Sequence, residues 1–168
     1  MSFISLQTTQ LFYNSERLDL QDGSTFWLSE NPEAVGQKGW DANLPRIVTW
    51  AKFKDRKTKK IFFVFNTHFD HIGKVARVGS AKLLLEKVKS IAGKSSVIVT
   101  GDFNAMPQDE PIKLLVDRTN SNRLIDAKEI SAQPHYGPTG TSNGFGPKET
   151  SDQPIDYIFV KNLSLIHI

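Results

Sequence analysis

Residues 47–53 alternate: Ile47, Thr49, Ala51 and Phe53 fall on one side, and Val48, Trp50 and Lys52 on the other. That period of two predicts a β-strand. Residues 61–67 (I-F-F-V-F-N-T) start apolar on both sides, which predicts a strand buried in a sheet covered on both faces. Over residues 74–92 the period changes. Val78, Ala81, Leu84, Leu85, Val88 and Ile91 recur at threes and fours, one face of an amphipathic helix, and Gly93 supplies its stop. Val97-Ile98-Val99 predicts a further short buried strand. Residues 109–116 predict a short helix, with Asp109 and Glu110 at its positive N-terminal end and Pro111 tolerated in the first turn. Residues 155–160 predict a strand, and residues 163–168 begin another. Nearer the start, residues 10–14 and 24–28 predict two short strands separated by a polar turn at Asp22-Gly23. Residues 31–43 and 133–154 carry Gly, Pro and polar side chains and predict loops. No repeat, low-complexity tract or linker interrupts the pattern, so residues 1–168 read as a single α/β layered sandwich.

The length of 168 residues suits one domain, and 39% hydrophobic residues with 11 Phe and 3 Trp furnish a core, which excludes a disordered chain. No run of about 18 apolar residues occurs, so no membrane-spanning helix is expected. Met1-Ser2-Phe3-Ile4-Ser5 lacks the basic stretch and long apolar run of a secretory leader. The absence of cysteine excludes disulfides and thiolate metal sites. The net charge of +3 is unevenly spread: residues 51–100 hold 12 basic and 3 acidic groups. Lys52, Lys54, Arg56, Lys57, Lys59 and Lys60 form half of that excess. The cluster reads first as a solvated hairpin tip, and second as an attractor for nucleic acid or anionic lipid.

Three polar groups sit where apolar strands run out: Asn66-Thr67-His68-Phe69-Asp70-His71, Gly101-Asp102-Phe103-Asn104, and Asp156 within Ile155-Asp156-Tyr157-Ile158-Phe159. Catalytic sites of α/β sheets gather beyond strand ends, so the three are expected to converge on one cleft. Taken singly, Gly-Asp-x-Asn is good turn chemistry and His68 a hydrogen-bonded strand-end histidine. A carboxylate inside an apolar strand needs a dedicated partner, and this is expected for Asp156.

Together these segments resemble the endonuclease/exonuclease/phosphatase superfamily, the deoxyribonuclease-I-like fold. The resemblance rests on T-H-F at 67–69, G-D-F-N at 101–104 and P-I-D-Y-I at 154–158, in that order with a helix between the first two, and covers residues 11–160. Phe12-Tyr13 and Pro45-Arg46-Ile47-Val48-Thr49 look like further family strands. F-W-L-S-E at 26–30, G-W-D-A at 39–42 and F-N-T-H-F-D-H look most like a bacterial branch of unassigned substrate. The resemblance implies a four-layer sandwich of two mixed sheets flanked by helices. It implies hydrolysis of a phosphate ester, most readily a phosphodiester of nucleic acid, phospholipid head group or sugar phosphate, with Mg²⁺ or Mn²⁺ and no obligate protein partner. It assigns Asp102 to orient or deprotonate the attacking water, and Asn104 and His68 to hydrogen-bond the phosphate. Asp156 would fix the tautomer of a second histidine, and Arg46 would contact the substrate phosphate.

The family's first-strand Asn and its Glu, the principal metal ligand, have no counterpart upstream of Gln10, which leaves Asp102 and Asn104 as candidate secondary ligands. The closing S-D-H-x-P is also missing. Ser151-Asp152-Gln153-Pro154 lacks the His, and His167 has no Ser-Asp before it. The chain is therefore expected to be an incomplete domain with little hydrolase activity of its own. Two other readings compete. His68-Phe69-Asp70-His71-Ile72-Gly73 matches half of the H-x-H-x-D-H-x-G signature of metallo-β-lactamase-like hydrolases, in which His68, Asp70 and His71 would ligate a metal. The other is a non-catalytic remnant that binds phosphate-bearing ligands.

Overall fold

The computed structural model describes residues 9–142 and 152–163. Its frame is a single six-stranded mixed sheet of order β1-β2-β3-β4-β6-β5. β1 (Leu18–Trp27), β2 (Ile47–Asp55) and β3 (Ile61–His68) pair antiparallel in sequence. Helix α1 (Lys74–Ala92) then crosses to β4 (Ser96–Asp102), which lies parallel to β3. Helix α2 (Glu110–Val116), the two-residue β5 (Ile125–Asp126), helix α3 (Ala127–Ile130) and β6 (Asp156–Lys161) complete the order.

Strand parity decides what each face buries. Phe26, Val48, Phe63, Phe65, Val97, Val99, Tyr157 and Phe159 share one face and form a continuous core with Leu84, Leu85 and Val88 of α1 and Ile112 and Leu115 of α2. The opposite face carries Thr49, Ala51, Phe53, Val64, Asn66, Ile98, Thr100 and Ile158; the Tyr13 ring covers Phe53 at 4.9 Å, while Ile158 is exposed. Of the four layers expected, the described residues supply one sheet and the helical layer on it. No helix among them is long and apolar enough to cross a membrane.

Several expectations shift. Residues 10–14 form no strand, and β1 starts at Leu18 and runs unbroken through Asp22-Gly23. Those two residues lie at a register irregularity rather than a turn, and a Cβ on Gly23 would meet the Trp50 carbonyl at 2.9 Å. A bulge gives a strand-interior glycine its place. The buried stripe of α1 is Ala76, Ser80, Ala81, Leu84, Leu85, Val88 and Ala92, so Val78 and Ile91 sit on its flank. The helix bounds agree with the periodicity. β5 and α3 were not foreseen, being too short to show a period. Residues 143–151 of the expected loop and 164–168 of the expected last strand lie outside the described residues.

Candidate functional site

Register builds the site. His68 is the residue paired with Asp102 across β3 and β4, and Asp102 with Asp156 across β4 and β6. The three side chains thus stand in a row at one end of three adjacent strands, each about 5 Å from the next by strand spacing. They line one cleft of about 860 Å³ together with Gln10, Phe12 and Lys128. The convergence expected from the strand ends is present.

Below the row, the backbone is fastened on both sides. The Phe69 N–H donates to the Asp102 carbonyl and the Phe103 N–H to the Ile155 carbonyl, both at 2.8 Å. Gly101 has φ +152°, and a Cβ there would lie 2.1 Å from the Thr67 carbonyl oxygen, so only glycine lets β4 come this close to β3. Phe69, Phe103, Tyr157 and Phe159 pack as an aromatic block, with Phe69 edge-on to Phe103 at 4.8 Å. The Tyr157 hydroxyl shares its single proton between the Ala105 and Pro154 carbonyls, tying the two strand-end turns together.

The Nε2 of His68 lies 3.5 Å from Asp102 Oδ2. Burial, then the Arg46 charge, lowers the His68 pKa; burial raises that of Asp102 despite the Asn104 N–H on its Oδ1 at 2.8 Å. Both groups move toward their neutral forms because desolvation outweighs their mutual attraction. Asn104 has φ +46° and donates its Nδ2 to the Phe69 carbonyl at 3.0 Å, so its amide clamps the β3 turn to the β4 turn while Oδ1 stays available. Asp156 departs from expectation: it opens β6, is exposed, and makes no side-chain hydrogen bond or ion pair with another described residue, because the strand starts there rather than enclosing it. Its backbone N–H donates to Thr141 Oγ1.

Arg46 is only 3% exposed, so its guanidinium acts on the row by charge rather than through an open face. Its Nε faces Asp70 Oδ2 at 3.5 Å and its Nη2 reaches His71 Nδ1 at 3.1 Å. Asp70 is 1% exposed. Burial alone would raise its pKa, yet the backbone N–H groups of Gly73, Asn43, Ile72 and Leu44 hold it well below the usual carboxylate range. Those bonds correct the metallo-β-lactamase reading: an Asp70 spent on four amides and an arginine has no oxygen to give a metal beside His68 and His71. The sequence had marked Asp70 only for that reading. Its place two residues beyond the end of a buried strand and three before Gly73 was the signal for a turn-anchoring carboxylate.

Among the described residues no group of three or more His, Asp or Glu side chains is arranged to hold a metal ion. Asp102 and Asn104 offer at most a partial donor set for Mg²⁺ or Mn²⁺, and the described residues do not complete a site for either.

Residues 13–167 match the family model described as the Endonuclease/Exonuclease/phosphatase family. A solved endonuclease/exonuclease/phosphatase from Bacteroides vulgatus is 41% identical, with 88% of this chain and 56% of that one covered and a TM-score of 0.80. A mannosyl-6-phosphatase from Bacteroides thetaiotaomicron is 40% identical, with 88% and 54% covered and a TM-score of 0.80. An uncharacterized mimivirus protein is 29% identical over 157 residues, 88% of this chain and 55% of its own. The chain thus spans about half the length of these relatives.

Proposed function

The chain belongs to the endonuclease/exonuclease/phosphatase family, and on that premise we propose that it is the phosphate-handling part of a phosphoester hydrolase acting on a small phosphorylated molecule. The observation that carries the proposal is the row of His68, Asp102 and Asp156 across three neighbouring strands. Asp102, its pKa raised by burial, holds the attacking water and accepts its proton as the water approaches phosphorus. His68, kept neutral by its environment, donates one N–H to a phosphate oxygen as negative charge builds there. Arg46 adds positive charge from beneath. Asp156 would orient a further histidine. The family's divalent cation, Mg²⁺ or Mn²⁺, would neutralise phosphate charge, and the described donors do not complete its site.

Two features support a small substrate over a polyanion or a lipid. The cleft is lined by Asp102, Asp126 and Asp156 against Lys128 and His68, a poor surface for a continuous phosphate backbone. The likeness to a mannosyl-6-phosphatase adds support for a sugar phosphate monoester over a phosphodiester.

The test grafts residues 13–160 in place of the matching segment of the Bacteroides thetaiotaomicron phosphatase. Phosphate release from a sugar 6-phosphate and from bis(p-nitrophenyl) phosphate is then followed with Mg²⁺. The chimera should prefer the monoester, the chain alone should release little from either, and Asp102→Asn should slow the chimera by about a hundredfold or more. A folded chimera indifferent to Asp102→Asn overturns the proposal.

A further inference from the structure

Beside the catalytic row, on the β2 side, stands a second set of side chains with its own internal logic. Asp70 is anchored from both of its oxygens. Oδ1 accepts from the Ile72 and Gly73 N–H groups at 3.0 and 2.7 Å, and Oδ2 accepts from the Leu44 N–H at 3.0 Å. Oδ2 also faces the buried Arg46 guanidinium, so the arginine is held by a carboxylate that cannot itself turn. Arg46 passes the constraint on. A guanidinium has only donors, so where its Nη2 meets His71 Nδ1 at 3.1 Å that ring nitrogen must be the acceptor. A neutral His71 therefore carries its proton on Nε2. The ring is exposed, three residues beyond His68, and it is held by the same Arg46 whose charge acts on His68.

We propose that His71 is a second phosphate-binding donor, its Nε2–H offered to the substrate because Asp70 and Arg46, as positioning residues, fix its ring and its tautomer. This rests on the phosphoesterase reading and extends its anion seat by one residue, so that a phosphate would meet N–H donors from both His68 and His71. The ordinary reading of His71 as a surface side chain does not account for a buried arginine reaching it.

The experiment uses this chain with inorganic phosphate as the probe. Affinity is measured by calorimetry, and the His71 tautomer by long-range ¹H–¹⁵N correlation spectra of the imidazoles. Wild type should show the Nε2–H tautomer. His71→Ala, an exposed substitution that leaves the fold intact, should weaken phosphate binding about tenfold, the scale of one hydrogen bond to a charged group. Asp70→Asn keeps an acceptor for Ile72 and Gly73 but turns an amide toward Arg46. It should release His71 to mixed tautomers and cost a similar factor, with no further loss in the Asp70→Asn/His71→Ala double variant. Should Asp70→Asn not fold, Arg46→Gln makes the tautomer test from the other side of the pair, read from the imidazole spectra alone because Arg46 also adds its charge to the seat. A His71→Ala chain that binds phosphate as wild type does overturns the inference and leaves the proposed function standing. A wild-type chain that binds no phosphate overturns both.

Discussion

At Asp102 the sheet holds a carboxylate where its charge is unwelcome. Burial raises its pKa, so the folded protein binds a proton more tightly than the unfolded chain does. The sign follows from linkage: an acid raised in the fold stabilises while protonated, and that contribution is lost as pH rises through the folded value. At neutral pH the ionised Asp102 therefore costs stability. Asp102→Asn keeps an oxygen for the Asn104 N–H and removes the charge, so it should raise Tm at pH 7 while it removes the proposed water-orienting group. Scanning calorimetry from pH 4 to 8 should show the gap over wild type opening as pH rises, and a Tm below wild type at pH 7 would contradict the assignment of burial as the cause. The placement of His68, Asp102 and Asn104 was legible in the sequence, because each falls just where an apolar strand ends. Asp156 was read as buried because its neighbours are apolar. Only the strand's starting point, which alternation cannot locate, leaves it exposed. Arg46 was read as a substrate contact, and nothing in the local sequence reveals that Asp70, 24 positions on, draws it inward.

Among the elements, α1 shows how a loop completes what a helix lacks. Its cap position is Gly73, which offers no side chain, and its first turn holds no acidic residue. Asp41, from the loop between β1 and β2, accepts from the Ala76 N–H at 2.6 Å and the Val75 N–H at 3.3 Å. Beside it, Trp40 lies over Gly79 so closely that a Cβ there would meet the indole at 2.4 Å. The G-W-D-A motif is accordingly a fastening for α1, which starts at Lys74, shortly after His68. Because Asp41 satisfies orphan amide groups at the positive end of α1, Asp41→Ala should cost about 1 kcal/mol, as loss of an N-cap does. Urea unfolding followed by circular dichroism measures it, and an unchanged midpoint would mean solvent serves those amides equally well. Helix bounds were legible because nineteen residues give several turns of period; the cap was not, since its donor and acceptor lie 35 positions apart in sequence.

Across the whole molecule, charge and chemistry occupy opposite ends of the sheet. β3 runs from Ile61 at the basic turn to His68 at the catalytic row, eight residues that span about 23 Å. That is nearly three Debye lengths at physiological salt, about 8 Å each, so exposed lysines at the turn are screened from the site. The turn has its own internal order. Asp55 accepts from the Lys57 and Thr58 N–H groups and pairs with Arg17 at 2.7 Å, and Arg56 pairs with Asp19 at 3.2 Å. Of the cluster, Arg56, Lys57, Lys59 and Lys60 thus form the hairpin tip that was the first reading of the sequence, with Arg56 paired locally. Sequence order could not show their distance from the site, because Arg56, Lys57, Lys59 and Lys60 lie close to His68 along the chain yet beyond the opposite end of β3, while Lys52 and Lys54 stand on β2. Neutralising Lys57, Lys59 and Lys60 together to Gln should leave phosphate affinity within twofold of wild type at 150 mM salt, whereas Arg46→Gln should weaken it severalfold. Calorimetric titration with inorganic phosphate makes the comparison. A loss of more than fivefold in the triple variant would show that the anion is drawn along the length of the sheet, and would return a long, multiply charged substrate to consideration.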